Sequence, residues 1–349
     1  MTRGVGEPLF THDLKRWQAW QDRQRRLSRW ANRARHAASA EHSVTPLMIT
    51  GPPDAEVIVA FDTTNPPMVR TFAAVIRTLR AQGTTVAVVD AGDARLRGEI
   101  AAPTEALDPQ LLHAAVYLSI GHFARVGQSA WRASRRSGGR FTILQHGLLT
   151  PFTPPLAVGS HLLAWSDADA VYWSAARADI STATVGAPPL VWAREDASTK
   201  TGGSSLDRPL FLGQMHGAEL PWRTKVGTAV YFCRRTGAEY RPHPSEQSAL
   251  ARAAHRLLRT AGVTFESGGP ALSAERRPVV SMFSTGLLEA AAAGLHTYGF
   301  AVRPPQWLEA FWERYQIGRW PDRPTQLDPS LIPGTSAEVV SSIVREVTP

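Results

Sequence analysis

The chain has 349 residues, 43% of them hydrophobic and 19% charged. That is the composition of a globular protein with apolar material for about two domains, and it excludes a disordered chain, a collagen and a coiled-coil rod. Basic residues outnumber acidic ones 38 to 30, a formal net charge of +8, and with lysine only at positions 15, 200 and 225 the remaining 35 are arginine; such an excess favours anionic partners, whether phosphorylated substrates, nucleic acid or a membrane surface.

The first element expected is a helix from about Thr11 to Ala38. Leu14, Trp17, Leu27, Trp30 and Ala34 recur at helical spacing among eight basic residues. Thr11 is the expected N-cap, with Asp13 in the first turn. The helix admits two readings: a contact with an anionic membrane surface, or docking on the protein body with a solvated arginine face. Trp17, Trp20 and Trp30 suit the headgroup layer in the first reading.

Beyond Ser43, short β-branched runs alternate with helical stretches. Strands are expected over Glu56–Phe61, Thr84–Asp90, Ala114–Ile120, Arg140–Gln145, His161–Trp165 and Ala183–Val185. Helices are expected over about 67–82 and 125–136 and from Ser166. Strand–helix alternation of this kind gives a parallel sheet covered on both faces. Between about Gly186 and Pro209 the alternation lapses into a stretch rich in Pro, Gly, Ser and Thr, and residues 191–208 within it read as a linker.

The alternation then resumes. Strands are expected at Leu210–Gly213, Gly237–Arg241, Val263–Phe265, Pro278–Met282 and Leu295–Phe300, with helices over about 221–234, 246–260, 286–293 and 305–315. A last helix near 336–346 could return over the first domain. The domain scheme is therefore a basic helical extension at 1–43, a first Rossmann-like domain at 44–190, a linker at 191–208, a second Rossmann-like domain at 209–335 and a closing helix at 336–349. The fold class is α/β, two Rossmann-like, doubly wound domains facing a cleft.

Ligands of such sheets bind beyond the carboxyl ends of the strands, so the loops there carry the candidate chemistry. Gln145-His146-Gly147 follows the fourth strand of the first domain; His146 is either a general base or a residue bonded within its loop. In Arg241-Pro242-His243-Pro244 two prolines fix the backbone around a guanidinium and an imidazole that could both hold phosphate. Ser284 and Thr285 stand where a strand meets a helix N-terminus, an arrangement that serves as an anion cradle or as a simple cap. Glu289, one turn on from Thr285, could reach a ribose hydroxyl. Gln214 and His216, after the first strand of the second half, could contact a donor's phosphates. Asp62, ending the first strand, is a second candidate base.

Several signals are missing. The chain has no GxxxxGK[ST] loop, no GxGxxG after the first strand and no HExxH. No helix-turn-helix or aromatic-rich basic signal points to nucleic acid. One cysteine makes neither an internal disulfide nor a zinc site. No apolar run is long enough to span a membrane, and the first ten residues have no signal-peptide core. These features predict a cytoplasmic protein with no cofactor and no metal.

The ordered set His146-Gly147, Arg241-Pro242-His243-Pro244 and Phe283-Ser284-Thr285-Gly286 resembles the GT-B glycosyltransferases. Within them it is similar to bacterial surface-polymer enzymes that use cytidine-activated donors: the CDP-glycerol glycerophosphotransferases of teichoic acid synthesis, and the sialyl- and Kdo-type capsule transferases. The resemblance implies transfer from a CMP- or CDP-activated donor to a hydroxyl of a polysaccharide or lipid-linked acceptor at the inner face of the membrane. It implies that Arg241, His243, Ser284 and Thr285 hold the nucleotide phosphates, and that His146 or Asp62 takes the acceptor proton without a metal. Two alternatives remain, a nucleotide-sugar 2-epimerase and a catalytically silent partner in a polymer-assembly complex.

Overall fold

The computed structural model describes residues 6–24, 46–63, 65–92, 94–175, 177–198, 208–215, 217–266, 268–269 and 272–349. Two sheets organise them. The first has eight strands: β1 (Met48–Thr50), β2 (Val57–Phe61), β3 (Val86–Asp90), β4 (Thr104–Ala106), β5 (Val116–Ser119), β6 (Arg140–Leu144), β7 (His161–Ala164) and β8 (Ser181–Thr184), in the spatial order β4-β1-β3-β2-β5-β6-β7-β8. The run from β3 to β8 is parallel. Strand β1 pairs antiparallel with both β3 and β4 and so ends the parallel run. Neither β1 nor β4 is expected from the sequence, because each is three residues long and β4 is exposed throughout.

Alternation within the strands sorts side chains onto two faces. Val57, Val59 and Phe61 of β2 enter one core, while Ile58 and Ala60 enter the other. Helix α2 (Pro66–Ala81) covers the first face through Phe72, Ile76 and Leu79. Helices α3 (Arg125–Ser137) and α4 (Asp167–Ser174) cover the second through Val126, Ala130, Ala170 and Trp173. The expected doubly wound α/β unit is therefore present.

The second sheet is fully parallel: β9 (Leu210–Leu212), β10 (Glu239–Arg241), β11 (Val279–Ser281) and β12 (Thr297–Gly299), ordered β10-β9-β11-β12. Its connections are α6 (Trp222–Thr236), α7 (Ala249–Thr260), α8 (Thr285–Ala292) and α9 (Gln306–Arg314). The strand expected at Val263–Phe265 reduces to one bridge between Tyr240 and Phe265.

The linker expectation needs correction. Residues 191–198 lie in helix α5 (Pro188–Ser198), which starts at Pro188-Pro189. Proline is tolerated in a first helical turn, where N–H groups lack intrahelical partners anyway. Helix α5 joins the units: Leu190 sits in the core of the second and Val191 in that of the first. Helix α10 (Ser336–Val347), closed by a Thr335/Glu338 capping box, lies against α2 and places Val339, Ile343 and Val347 in the first unit's core.

The amino-terminal helix is α1 (Leu14–Gln24), and its N-cap is Asp13, whose Oδ1 accepts from Arg16 N at 2.9 Å, rather than Thr11. The rest of the expected helix, with Trp30, lies outside the described residues. The membrane reading of Trp17 and Trp20 is corrected by their packing on the body. Trp17 is buried, donates from Nε1 to Phe152 O at 2.8 Å and meets Phe123 edge-on at 5.7 Å. Trp20 stacks on Phe152 at 5.0 Å. The segment before the helix is tied down by Tyr172 Oη donating to Gly6 O and Arg177 Nη1 donating to Thr11 O. No described helix is long and apolar enough to cross a membrane. Trp17→Ala is expected to lower stability in urea denaturation by about 3 kcal/mol, the order for truncating a buried aromatic; an unchanged midpoint would mean that α1 is not anchored by this side chain.

Candidate functional site

In each sheet the chain turns opposite ways from neighbouring strands, which opens a crevice at their carboxyl ends. In the first sheet this lies between β2 and β5, and in the second between β9 and β11. The loops after these strands carry Asp62, Gly121-His122-Phe123, Gly213-Gln214-Met215 and Phe283-Ser284-Thr285.

The two units meet where the loop after β6 approaches the loop after β11. Leu148 N, just past His146-Gly147, donates to Thr285 Oγ1 at 3.4 Å. Gly147 is not in a left-handed conformation, so the turn does not demand glycine. A Cβ there would meet only Thr285 Oγ1, at 3.6 Å. The sequence-expected His146 and Thr285 loops are thus neighbours across the cleft.

A buried clasp fixes this approach. Tyr315, at the end of α9, donates from Oη to Asp169 Oδ1 at 2.7 Å and accepts from Leu149 N at 2.8 Å. Gln145 Nε2 donates to Asp169 Oδ2 at 2.6 Å and to Gly147 O at 3.1 Å, while its Oε1 accepts from Trp165 N. Arg314 stacks on Tyr172 at 3.5 Å and donates to Leu149 O. Burial pushes the Asp169 carboxyl upward, opposed by the Gln145 and Tyr315 bonds. Gln145, Asp169 and Tyr315 escape sequence reasoning because they are far apart in the chain and match no local pattern.

His146 is half-buried against Phe123, ring centroids 5.9 Å apart, and its Nδ1 is buried without a hydrogen-bond partner. Burial lowers its pKa to about 4. The imidazole is therefore neutral near pH 7 and able to accept a proton, but its basicity is weakened because no carboxylate backs the ring. Asp62 has a different task. Its oxygens accept from Gly127 N at 2.6 Å and Val126 N at 3.3 Å, which tethers β2 to the start of α3. Action as a base would compete with both bonds, although burial raises its pKa.

Ser284 caps α8, its Oγ accepting from Gly286 N at 3.1 Å. Both the Ser284 and Thr285 oxygens accept a backbone N–H, and each hydroxyl still carries a proton to donate. Glu289 is half-buried one turn along α8, and burial raises its pKa to about 7. Gln214, expected at phosphate, is instead buried, its Oε1 accepting from Phe283 N at 2.8 Å and Ser281 Oγ at 3.0 Å. It shapes the hydroxyl loop from beneath. His216 lies outside the described residues.

Arg241 is likewise engaged, donating to Glu266 through Nε and Nη2 and to Glu275 through Nη2 at 2.9 Å. The expected phosphate fork thus holds the end of β10. His243 Nδ1 accepts from Ser245 N at 3.1 Å, which leaves the neutral ring's proton on Nε2. Burial lowers its pKa, with Glu246 opposing. Strand β10 stands two positions from β11, on the order of 10 Å, so His243 and Ser284 edge the same rim. Glu246, which the sequence did not single out, accepts from Met215 N at 2.7 Å and Tyr240 Oη at 3.0 Å and contacts His255 Nε2 at 2.6 Å, binding the loops after β9 and β10 together. Gly213 is required there, since a Cβ would fall 2.3 Å from Tyr240 Oη and 2.7 Å from Glu246 Oε1. Among the described residues no three acidic, histidine or cysteine side chains cluster as a metal site.

No protein-family model matches the chain, and no curated protein sequence matches it. Among solved structures, a glycosyltransferase from Rickettsia africae ESF-5 superposes with a TM-score of 0.45 at 11% identity, covering 84% of this chain and 92% of that one. Anabaena Alr3699/HepE in complex with UDP and glucose gives a TM-score of 0.43 at 11% identity, over 84% and 91% of the respective chains. Likeness at this level transfers no activity, and the site's own geometry must carry the functional reading.

Tyr315→Phe keeps the ring but leaves Asp169 Oδ1 and Leu149 N short of a partner. Urea denaturation is expected to show a loss of about 2 kcal/mol, the order for buried polar groups left unpaired; wild-type stability would remove the clasp from the account. Glu289 supplies a pH test. Its folded pKa lies above the unfolded value of 4.5, so its contribution to stability is full below pH 4.5 and is lost as pH rises through about 7. The melting temperature of Glu289→Gln relative to wild type should therefore increase between pH 5 and pH 8.5, and a difference independent of pH would contradict the burial argument.

Proposed function

We propose that this protein is a transferase that moves a glycosyl or glycerophosphate-type group from a nucleotide-activated donor to an acceptor hydroxyl, in the cleft between its two α/β units. The observation that carries the reading is the approach of the His146-Gly147-Leu148 loop to Thr285, which sets a neutral imidazole from one unit beside a hydroxyl-lined helix N-terminus from the other. The donor's phosphates would lie on the second unit. Ser284 Oγ, Thr285 Oγ1 and the N–H groups opening α8 supply neutral donors, and His243 Nε2–H adds another from the same rim.

In the reaction the bond from the transferred group to the leaving phosphate breaks, and a bond to the acceptor oxygen forms. Negative charge grows on the phosphate, where preorganised donors stabilise it more than they stabilise the bound ground state. His146 accepts the acceptor's proton. Because burial opposes a charged imidazole, that transfer is favoured as the leaving phosphate gains charge nearby. Glu289 is placed to receive ribose hydroxyls, and its raised pKa keeps it partly protonated near neutrality. Cytidine is the first base to test, on the resemblance of the His-Pro and Ser-Thr motifs, with a surface polysaccharide or lipid-linked glycan as acceptor.

Calorimetry with CMP, CDP, UDP and GDP tests the donor half. At least one nucleotide should bind wild type, and Ser284→Ala/Thr285→Val should weaken it by about tenfold or more, since a hydrogen bond to a charged group is worth about 1.5–3 kcal/mol. Equal affinity in the double variant would reduce the loop to a helix cap. Conversion of a UDP-sugar to its epimer without any acceptor would replace transfer with epimerisation.

A further inference from the structure

Among the described residues no hydrogen bond or ion pair holds the His146 side chain. Its Nδ1 is buried without a partner, and its aromatic contact is with Phe123, ring centroids 5.9 Å apart and planes inclined by 29°. A functional imidazole is ordinarily turned and fixed by the bond that its second nitrogen makes. Here no such bond exists, and the face of a phenyl ring is the contact that remains.

The loop after β5 is built around that ring. Gly121, at φ 143°, lies against it: a Cβ there would fall 2.7 Å from Cε1 and 2.8 Å from Cδ1 of Phe123, well inside contact distance. Ser119 Oγ donates to Gly121 O at 3.0 Å. Gly127, in the first turn of α3, lets the helix approach so closely that a Cβ would sit 1.9 Å from Gly121 O. Asp62 fixes the same turn by accepting from Gly127 N and Val126 N. Trp17 of α1 then meets Phe123 edge-on at 5.7 Å, itself held by the bond from Nε1 to Phe152 O. Two steric demands for glycine, a carboxylate tether and an indole thus converge on one phenyl ring. The neighbouring His122 is buried beside Trp131, ring centroids 5.2 Å apart, so Phe123 is the side chain that this loop sets against His146.

We infer that Phe123 is a positioning residue for His146, holding the imidazole with Nδ1 turned inward so that Nε2 meets the acceptor hydroxyl, and that α1 serves the site by holding Phe123 through Trp17. The task of Nε2 rests on the transferase reading; the ordering of the ring rests on the contacts themselves. A flat face selects one plane for a flat ring, whereas an aliphatic side chain of similar bulk fills the space without selecting one. Orientation matters because a reacting group displaced from its aligned position loses much of its rate advantage.

Carbon-13 relaxation of the imidazole Cε1–H groups, on the full chain labelled in histidine, reads this ordering directly; the His146 signal is the one lost in His146→Gln. Wild-type His146 should have an order parameter of about 0.85, as in a rigid segment, and Phe123→Leu should lower it below about 0.6. Phe123→Tyr, which keeps the ring, should restore the wild-type value, and Trp17→Leu should give an intermediate one. An unchanged order parameter in folded Phe123→Leu, even with a lower melting temperature, would overturn the inference by reducing Phe123 to packing. A wild-type value in Trp17→Leu would overturn the part assigned to α1. Should Phe123→Leu not fold, the wild type decides. Cross-relaxation between Phe123 ring protons and His146 Hδ2 or Hε1, with a rigid imidazole, supports the inference, and its absence or a mobile imidazole contradicts it. Failure of every nucleotide to bind wild type in calorimetry would instead overturn the transferase reading and leave the ring-order result standing.

Discussion

The buried hydrogen bond from Tyr315 to Asp169 sets the geometry on which the site depends. One end belongs to α9 of the second unit and the other to α4 of the first. Asp169 also receives Gln145, whose backbone leads directly into His146, so a single carboxylate orients both the cleft and the imidazole loop. The arrangement is costly to disturb. A buried carboxylate that loses a donor keeps its desolvation penalty without compensation. Tyr315 Oη also accepts from Leu149 N, which leaves that loop little freedom to withdraw from Thr285.

Around this clasp the electrostatics follow a consistent pattern. Groups at the cleft are moved away from charge: His146 is driven toward its neutral form and Glu289 toward protonation, both by burial. Several described arginines are engaged by carboxylates within one unit. Arg241 and Arg277 share Glu266 and Glu275, and Arg177 is paired with Asp179. In the proposed transfer the donors at the leaving phosphate would be hydroxyl, amide and imidazole groups, whose strength rises where water is excluded. Aromatic contacts continue from Trp20 through Phe152 and Trp307 to Phe283, linking α1 to the hydroxyl loop of the opposite unit.

Much of this organisation is legible in the sequence. Val57–Phe61 and Val86–Asp90 declare themselves as β-branched runs, and Ser284-Thr285 before Gly286-Leu287-Leu288 marks a strand-to-helix turn. Edge strands β1 and β4 do not, since three residues carry no periodicity. Helix α5 is hidden by its opening prolines and by the polar stretch after it. At the site, local pattern identifies the loops but not the duties of their side chains. Gln214 and Arg241 look like ligand contacts until distant partners, Phe283 N and Glu266, claim them. Trp17 and Trp20 read equally well as membrane anchors until Phe123 and Phe152 are placed beside them. Each missed assignment turns on a contact between residues far apart in the chain, which only the fold supplies.

The central claim is that one reaction site is formed jointly by the loops at residues 145–149 and 283–287, so that a nucleotide held on the second loop also restrains the first, which touches it through Leu148 N and Thr285 Oγ1. Hydrogen–deuterium exchange, with and without the tightest-binding nucleotide, measures this directly. The account predicts that both segments gain protection together, although they belong to different units. Protection confined to other surfaces, or to neither segment while the nucleotide is bound, would contradict it.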